Sequence, residues 1–489
     1  MVGRPHGIPM KNPPNVLLIC ADHWAGRHLR SAGHPSVMTP TIDQLANLGT
    51  SFIQATSACP VCMPARRTLM TGLSARGHGD RRFDEVADFP CVPSLAQCFR
   101  DAGYQASAVG KLHVNPQRNR IGFDEVILNE EGRHHSEMTS DDWELYLAEQ
   151  GFAGREYAAG ANNNDYLVTP WHLPDEHHQT NWTAREMCRT IYRRDPRKPG
   201  FWYLSFAAPH PPMWPLKTYL DLYRDVTLDD PIESEWSADS SSLPYKIRSY
   251  RSGDSMRGAQ PHERDLARRA FYAMITHIDH QIRVVLGTLR EEGLLDNTII
   301  ALTSDHGDML GDHGMWGKQV MYESSCRVPF IVVPPPAATA QRGVCDNRLV
   351  ELRDMMPTLL ELAGLPVPPH VEGISALTGE RRKSLYGEHG EGILATRMLR
   401  DERYKLIYYP DGNRFQLFDL ESDPGERADL SASASHTEVL KRLQAGLASQ
   451  LYGGDEAWIN DGAWVGLPAN TEPPKPNFKF SGQRGIRFL

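Results

Sequence analysis

The chain has 489 residues and carries 52 Lys and Arg residues against 61 Asp and Glu residues, a formal net charge of -9. This length allows one large domain with a substantial core and a smaller appended domain. The negative balance disfavours nucleic acid as a partner. Because residues 1–14 lack an apolar secretory signal and no later run is long enough to span a bilayer, we expect a cytoplasmic protein without membrane contact.

The first predicted element is a buried strand over residues 16–21, a continuous apolar run that stops at Asp22 and His23. Parallel strands deliver polar residues at their carboxyl ends, where open α/β sheets keep their sites. A short helix is then predicted from Thr39 to Gly49 because Thr39 precedes a proline and Gly49 follows the last apolar residue.

The segment from Cys59 to Gly72 predicts a short helix that begins at Cys62, with a proline at its start and Gly72 as its stop. Unpaired N–H groups at such an N-terminus favour an anion. A redox pair, half a zinc site or two buried thiols are the other interpretations of Cys59 and Cys62. No second Cys-x-x-Cys completes a zinc site, and the eight cysteines are scattered, which predicts reduced thiols.

A second helix is predicted over residues 94–103, capped by Ser94, and it leads into a strand over residues 106–109. Lys111 and His113 follow that strand and face the same way, because side chains in a strand alternate with period two. We therefore expect both side chains at the functional rim of the sheet.

Residues 115–197 are polar and weakly periodic, which predicts elaborated loops over the active face, a substrate lid. Residues 201–207 predict the next buried strand. It ends before His210, which prolines on both sides hold outside helix and sheet. A histidine in such a rigid loop is expected to be functional.

Residues 228–264 have no helix or strand periodicity and predict a surface excursion, whereas residues 263–293 predict a long amphipathic helix packed on the sheet. A further buried strand over residues 298–303 carries Asp305 and His306 to the same rim as Asp22. Strands and turns continue after Lys318, with a strand predicted at residues 330–333.

Residues 349–364 predict the last helix of the main domain. From about residue 381 the sequence pattern changes and predicts short strands at 393–396, 404–409 and 416–420, followed by a helix over 437–451. We therefore predict a domain over residues 1–380, a subdomain over 381–454, and an irregular tail over 455–489 that packs on a neighbouring subunit or closes over the site.

The pattern Cys62-x-Pro64-x-Arg66 followed by Leu69-Met-Thr-Gly72 resembles the sulfatase signature. Lys111-x-His113 and the phrase from Thr303 to His313 resemble further motifs of the type I, formylglycine-dependent sulfatase family of the alkaline phosphatase superfamily. The resemblance covers nearly the whole chain. It implies an α/β fold with a large mixed, mostly parallel sheet flanked by helices, and a small C-terminal α+β subdomain with an antiparallel sheet.

The resemblance implies an arylsulfatase-like hydrolase that converts a small-molecule sulfate monoester to alcohol and inorganic sulfate. A maturation enzyme would oxidise Cys62 to formylglycine, whose hydrate attacks sulfur. The implied metal ligands are Asp22, Cys62, Asp305 and His306, with His23 as a weak ligand. The implied catalytic residues are Cys62, Arg66, Lys111, His113, His210 and Lys318.

Roles also follow from the resemblance. Lys111 and Lys318 would clamp the sulfate, and Arg66 would orient the geminal diol. His113 would accept a proton from it, and His210, with Lys318, would protonate the leaving oxygen. Hard oxygen ligands with one imidazole suit Ca²⁺, with Mn²⁺ and Mg²⁺ as alternatives.

His23 departs from the family pattern, because many relatives have aspartate or glutamine there, and it could ligate the metal or orient Asp22. Two other functions stay open: a phosphonate monoester or phosphodiester hydrolase on the same scaffold, and a non-catalytic metal-binding protein with unmodified Cys62. Lys111-x-His113 argues against the first. The ester itself is open between aryl, sugar and alkyl sulfates, and Trp24, Trp214 and Trp316 either wall its pocket or pack. A homo-oligomer is expected.

Overall fold

A large sheet forms the centre of the computed structural model, which describes residues 13–130, 141–160, 163–253, 255–336 and 342–474. Its strands are β1 (Asn15–Ala21), β2 (Thr50–Thr56), β3 (Gln105–Gly110), β4 (Glu125–Leu128), β5 (Gly200–Phe206), β6 (Thr298–Ser304), β7 (Phe330–Val333) and β8 (Val344–Glu351). Their order across the sheet is β4-β3-β5-β1-β6-β7-β2-β8. All neighbours run parallel except β7, which is antiparallel to both β6 and β2.

Helices cover both faces of this sheet. They are α1 (Pro40–Leu48), α2 (Cys62–Thr71), α3 (Ala75–His78), α4 (Leu95–Asp101), α5 (Asp142–Glu149), α6 (Gln179–Tyr192), α7 (Lys217–Leu222), α8 (Glu235–Ala238), α9 (Tyr245–Ser252), α10 (Pro261–Glu291), α11 (Glu323–Cys326) and α12 (Met355–Leu362). Leu17 and Ile19 of β1 pack with α1, α6 and α10, whereas Val16 and Leu18 pack with α2, α4 and α12. A strand buried on both faces needs a continuous apolar run, which explains the sequence of β1.

A second, antiparallel sheet follows in the C-terminal part of the chain. Its strands are β9 (Leu385–His389), β10 (Thr396–Arg400), β11 (Tyr404–Tyr409) and β12 (Arg414–Asp419), in the order β12-β11-β10-β9. Helix α13 (Thr437–Ala448) packs Leu443 and Leu447 against this sheet, and a short hairpin follows, β13 (Ile459–Asn460) and β14 (Ala463–Trp464). The predicted fold class, a mostly parallel sheet plus a small α+β unit, is thereby confirmed; the boundary at 380/381 stays a prediction.

Two predicted elements of the C-terminal half are wrong in detail. The first residues of the helix predicted over 349–364 belong to β8, and the α-helix covers only Met355–Leu362. The strand predicted at 393–396 lies mainly in a 3₁₀ turn, and β10 begins at Thr396. Gly390 and Gly392 both adopt positive φ, which turns the chain between β9 and β10 and sets that register.

The two segments predicted as irregular contain regular structure. Residues 115–197 contribute β4, α5 and α6, although residues 131–140 and 161–162 of the predicted lid lie outside the described residues. Helix α6 buries polar Thr180, Thr183 and Glu186 beside its apolar residues, and this mixture hides the helical period. Residues 228–264 contribute α8 and α9, and Ile247 of α9 is fully buried.

The described part of the tail packs on this chain. Asp455 accepts a hydrogen bond from Nε of Arg397 at 2.8 Å, and Trp464 lies 4.5 Å from the Tyr408 ring. Arg248 of α9 donates to the backbone carbonyls of Asn470 and, at 3.2 Å, Glu472. Residues 475–489 lie outside the described residues, so the predicted contact with a neighbouring subunit stays a prediction.

Two further expectations concern the cysteines and the membrane. All eight cysteines are free thiols, as predicted. In the ranges that the structure covers, no helix combines the length and the apolar character that crossing a bilayer requires.

Candidate active site

The carboxyl ends of neighbouring strands of the large sheet meet at one buried edge, which we call the rim. β3, β5, β1 and β6 are adjacent in the sheet, so Lys111 follows β3, Asp22 follows β1, and Asp305 follows β6 at the same edge. Helix α2 points its N-terminus at this rim and places Cys62 in it, with Gly72 in the left-handed region at its end. Pro64 occupies the third helical position, still within the first turn, where its missing N–H costs no hydrogen bond.

Two carboxylates, one imidazole and the Cys62 sulfur form a compact cluster. His306 Nε2 lies 3.3 Å from Cys62 Sγ and 3.4 Å from Asp22 Oδ1. One ligand atom from each of Asp22, Cys62, Asp305 and His306 lies within 4.8 Å of all the others. His306 Nδ1 is hydrogen-bonded to the Gly307 carbonyl at 2.9 Å, which leaves Nε2 facing the cluster as a lone-pair donor.

The chemistry of this donor set fits a hard divalent cation. Burial, and next the charge of Asp22, raise the pKa of Asp305, because two carboxylates share one dry site. A divalent cation between them would relieve that repulsion, and carboxylate oxygens with one imidazole suit Ca²⁺, Mn²⁺ or Mg²⁺ better than a thiolate-rich zinc site. Asp22, Asp305 and His306 are therefore the residues that could hold a metal.

Two lysines make the surroundings of position 62 positive. Lys111 is fully buried and pairs with Asp22, while Nζ of Lys318 lies 3.0 Å from Cys62 Sγ. Burial alone would raise the pKa of the Cys62 thiol, but Lys318, Lys111 and His306 outweigh it and hold that pKa well below its usual range. Position 62 thus lies in a site built for an anion.

One ring nitrogen of His210 lies within 4.8 Å of Cys62 Sγ, and interaction with His113 helps to lower the pKa of the Cys62 thiol. His113 has a left-handed φ of 57°, and its backbone N–H donates to Glu130. His210 is hydrogen-bonded through Nδ1 to the Pro211 carbonyl; burial, followed by the charge of Lys318, lowers its pKa well below the usual range. Both imidazoles therefore lie beside position 62, and the lowered pKa keeps His210 neutral.

Arg66 lies behind the carboxylates. Its Nε donates to Asp305 Oδ2 at 2.9 Å, and Nη1 donates to the Lys111 carbonyl at 2.8 Å and to Ser205 Oγ at 2.9 Å. A second contact, Nη2 to Asp22 at 3.7 Å, completes the bridge between the two acids. These contacts hold the two acids in place. The role that the resemblance implies for Arg66, orienting the side chain at position 62, stays a prediction.

His23 lies beside the cluster with both ring nitrogens engaged. Nδ1 contacts Asp308 Oδ2 at 2.7 Å, Nε2 contacts the Lys318 ammonium, and Nε2 is 3.9 Å from Asp22 Oδ1. Its φ of 66° is left-handed, which aims the ring across the rim towards His210, 4.2 Å away between ring centroids. In this arrangement His23 connects Lys318 to Asp308, although it also lies within one possible ligand group with Asp22, Cys62 and His210.

Comparison with protein-family models gives a match to the sulfatase model over residues 14–365. This chain belongs to the sulfatase family. A second model, the C-terminal region of N-sulphoglucosamine sulphohydrolase, matches residues 311–452. The sulfatase match spans the strands and loops that supply every residue of the buried rim.

Similar proteins agree with this sulfatase assignment. The chain is 33% identical to an arylsulfatase of Clostridium perfringens over 94% of this chain and 98% of that protein. It is 28% identical to a choline-sulfatase of Rhizobium meliloti, over 86% and 82% of the two chains. A phosphonate monoester hydrolase of Agrobacterium radiobacter has the same fold, with a TM-score of 0.78 at 24% identity over 91% and 98%. The family and its arylsulfatase relatives support sulfate ester hydrolysis as the activity of this sulfatase.

Sequence reasoning missed several residues that hold the sulfatase site together. Glu130 accepts the backbone N–H groups of Leu112 at 2.7 Å and His113 at 2.9 Å, which pins the loop after β3. Asp308 accepts hydrogen bonds from His23 and from the Tyr166 hydroxyl. Asp308 lies within the segment from Thr303 to His313 that resembles a sulfatase motif, so it could have been predicted from the sequence. No local pattern connects Glu130 or Tyr166 to the rim.

A cavity of about 420 Å³ opens from this rim and is bordered by His23 and Lys318. Trp316 lines it and packs against Tyr166, with ring centroids 5.0 Å apart. Trp24 and Trp214 are buried packing residues instead: Trp24 donates to the His28 carbonyl at 2.9 Å, and Trp214 packs in an aromatic cluster. Of the three tryptophans, Trp316 is the one that borders this cavity.

Proposed function

We propose that this sulfatase cleaves its sulfate ester with a formylglycine made from Cys62, beside a divalent cation held by Asp22, Asp305 and His306. The observation that carries the proposal is the convergence of these ligands, two lysines and two histidines on position 62 at the N-terminus of α2. The hydrated aldehyde would supply an oxygen nucleophile, and the cation would supply positive charge against the sulfate oxygens.

The chain's own cations would bind the sulfate. Lys318 faces position 62 from one side, and Lys111 faces it across Asp22. The first N–H groups of α2 add further donors. Arg66 would act as a positioning residue, because its hydrogen bonds hold Asp305 and not the reacting group.

The two histidines would transfer protons in opposite directions: one would accept a proton and the other would donate one. His113, fixed by Glu130, would accept a proton from position 62, whereas His210 and Lys318 would deliver one to the leaving oxygen. The lowered pKa keeps His210 neutral, so a bound sulfate would have to favour its protonated form before His210 could act as an acid. Lys318, which contacts His23, is the second proton donor in this proposal.

Calcium is the proposed metal, since the ligand set is dominated by carboxylates, with Mn²⁺ and Mg²⁺ as alternatives. A formylglycine-generating enzyme is the partner that the proposal requires. The homo-oligomeric state and the cytoplasmic location stay predictions from sequence.

The test compares p-nitrophenyl sulfate with phenyl p-nitrophenyl phosphonate, using protein expressed with a maturation enzyme. We expect hydrolysis of the sulfate to be faster, and mass spectrometry of the peptide containing Cys62 to detect the aldehyde. A strong preference for the phosphonate would assign the chain to the alternative hydrolase. A peptide that carries only the thiol, together with no turnover of either compound, would support the non-catalytic alternative.

A further inference from the structure

A buried cation lies beside the sulfate site and has no role in the chemistry described above. Lys246 of α9 is 6% exposed and lines the same cavity as His23 and Lys318. Its ammonium contacts Nδ1 of His389 at 3.4 Å and lies 6.0 Å from the ring centroid of Tyr250. Within the described ranges, no carboxylate forms an ion pair with Lys246.

Burying an ammonium group without a partner of opposite charge costs free energy of desolvation, so a nearby group has to supply a counter-charge. His389 does not supply it, because burial, and then the charge of Lys246, lower the pKa of His389 well below its usual range and leave it neutral. Burial also lowers the pKa of Lys246, to about 8, so most of the population keeps its charge near pH 7. Lys246 lines the cavity, so a counter-charge could be supplied by a group bound there.

Lys246 is held in place by neighbours on both sides. The backbone N–H of Tyr245 donates to Asp411 Oδ2 at 2.7 Å, which fixes the start of α9 to the C-terminal sheet. Ile247 is fully buried, and Arg248 is tied to the tail carbonyls. A cation that is already ordered before a ligand arrives binds it at a lower entropic cost.

The rest of the cavity suits a ring-shaped alcohol with hydroxyl groups. Trp316 and Tyr250 form aromatic surfaces, and the Tyr250 hydroxyl donates to the Trp316 carbonyl at 2.5 Å, which holds the two together. Ser249 and Ser255 add hydroxyl groups to the lining. Apolar faces with a few fixed polar groups are typical of sites for small cyclic ligands.

We propose that Lys246 binds a second oxyanion, a carboxylate or a sulfate, on the alcohol part of the substrate, so that the natural ester is a sulfated ring alcohol that carries two anionic groups. The first group is the sulfate ester at position 62, and the second is bound by Lys246, which lines the cavity that His23 and Lys318 also line. This inference rests on the proposed sulfatase activity.

The test measures kcat/KM for matched pairs of substrates. Each positional sulfate of methyl glucuronide is compared with the same positional sulfate of methyl glucoside, which differs by the carboxylate alone. For the positional sulfate that is hydrolysed best, we expect kcat/KM of the glucuronide to exceed kcat/KM of the matching glucoside by roughly tenfold to a hundredfold. This is the gain expected of one charge-assisted hydrogen bond. A methyl glucoside disulfate forms a third arm: a gain on the disulfate alone would identify the second group as sulfate, and a gain on the glucuronide alone as carboxylate.

Two substitutions tie the preference to this side chain. In Lys246→Met the ratio between the anionic and neutral partners should fall to about one, since the charge is lost at nearly constant length, whereas Lys246→Arg should keep part of it. Lys441→Met removes an exposed lysine that pairs with Glu438 and should leave the ratio unchanged. Ratios within one preparation do not depend on the fraction of active protein.

The outcomes separate the two proposals. If the wild-type protein hydrolyses none of the sulfates, the sulfatase proposal fails first. If it hydrolyses both members of every pair equally, or if Lys246→Met keeps the full preference, sulfate ester hydrolysis stands and the second oxyanion site is wrong. Should Lys246→Met fail to fold, the wild-type ratio still decides.

Discussion

The inner end of the candidate active site and the outer wall formed by its cavity are built in different ways. The inner end consists of Asp22, Cys62, Lys111, Asp305 and His306, which follow strands or begin a helix and are all buried. The outer wall consists of Lys246, Tyr250, Tyr166 and Trp316, which come from α9 and from irregular loops. The inner end holds charges around one point whatever the alcohol is, whereas under our proposal the outer wall would meet the alcohol itself. Reaction type and choice of ester would then be located on separate parts of the fold.

Replacing Cys62 breaks the inner end most completely. Cys62→Ala removes the group from which the proposed nucleophile is made, and we expect kcat on p-nitrophenyl sulfate to fall by at least about ten-thousandfold. Cys59→Ala is the matched control, because Cys59 is buried three residues earlier and lies outside the ligand cluster. Activity of Cys62→Ala within tenfold of wild type would remove this residue from the mechanism.

Removing Arg66 tests whether the inner end depends on its support. Arg66→Gln leaves Asp22 and Asp305 without their shared guanidinium, and we expect the free energy of unfolding in metal-free buffer to fall by roughly 3–5 kcal/mol. Denaturant unfolding measures this change. Arg403→Gln, which breaks an ion pair of a half-exposed arginine with Asp419, should change stability little. Equal losses in the two variants would contradict the supporting role.

Binding of a metal ion at the inner end should stabilise the folded protein. Ca²⁺ at a hundred times its Kd should raise the free energy of unfolding by about 2.7 kcal/mol, because only the folded chain brings the ligands together. Calorimetry with and without Ca²⁺ measures the increment, which Asp305→Asn should abolish. Asp279→Asn alters a buried carboxylate that accepts the N–H of Ile42 at 2.8 Å, and it should keep the increment. A Ca²⁺ increment that survives Asp305→Asn would place the metal elsewhere.

The smallest expected effect concerns pH and the outer wall. Lys246 faces His389, Tyr250 and Cys59, and burial lowers its pKa from the ordinary value to about 8. It is charged below that pH, so the affinity for an anionic alcohol should be full near neutrality and decline as pH rises through about 8. The ratio of KM values for the glucuronide and glucoside sulfates should then rise by up to about tenfold per pH unit. Lys246→Arg, whose guanidinium keeps its charge, should remove this dependence, and a wild-type ratio independent of pH would count against the charge.

The inner end could be predicted because it follows from local patterns. An apolar run that stops at Asp22 or before Asp305 identifies a strand end, and strand ends of a parallel sheet meet at one edge. The outer wall could not be predicted in this way. Helix α9 contains Lys, Arg and Ser among its eight residues, and its one fully buried aliphatic residue, Ile247, leaves no period to detect.

The same limit explains the errors elsewhere. Glu130 lies 17 residues from the loop that it holds, and its only signal is a hydrogen bond across the fold. Strand β8 was missed because its first half alternates between intermediate and exposed positions, so it lacks the apolar run that identified β1. Contacts that depend on tertiary packing leave little trace in neighbouring residues.

The grip of Arg248 on the carbonyls of Asn470 and Glu472 has an evolutionary consequence. Helix α9 is braced by the segment around residue 470, so insertions or replacements there would reshape the cavity wall while leaving the reactive residues untouched.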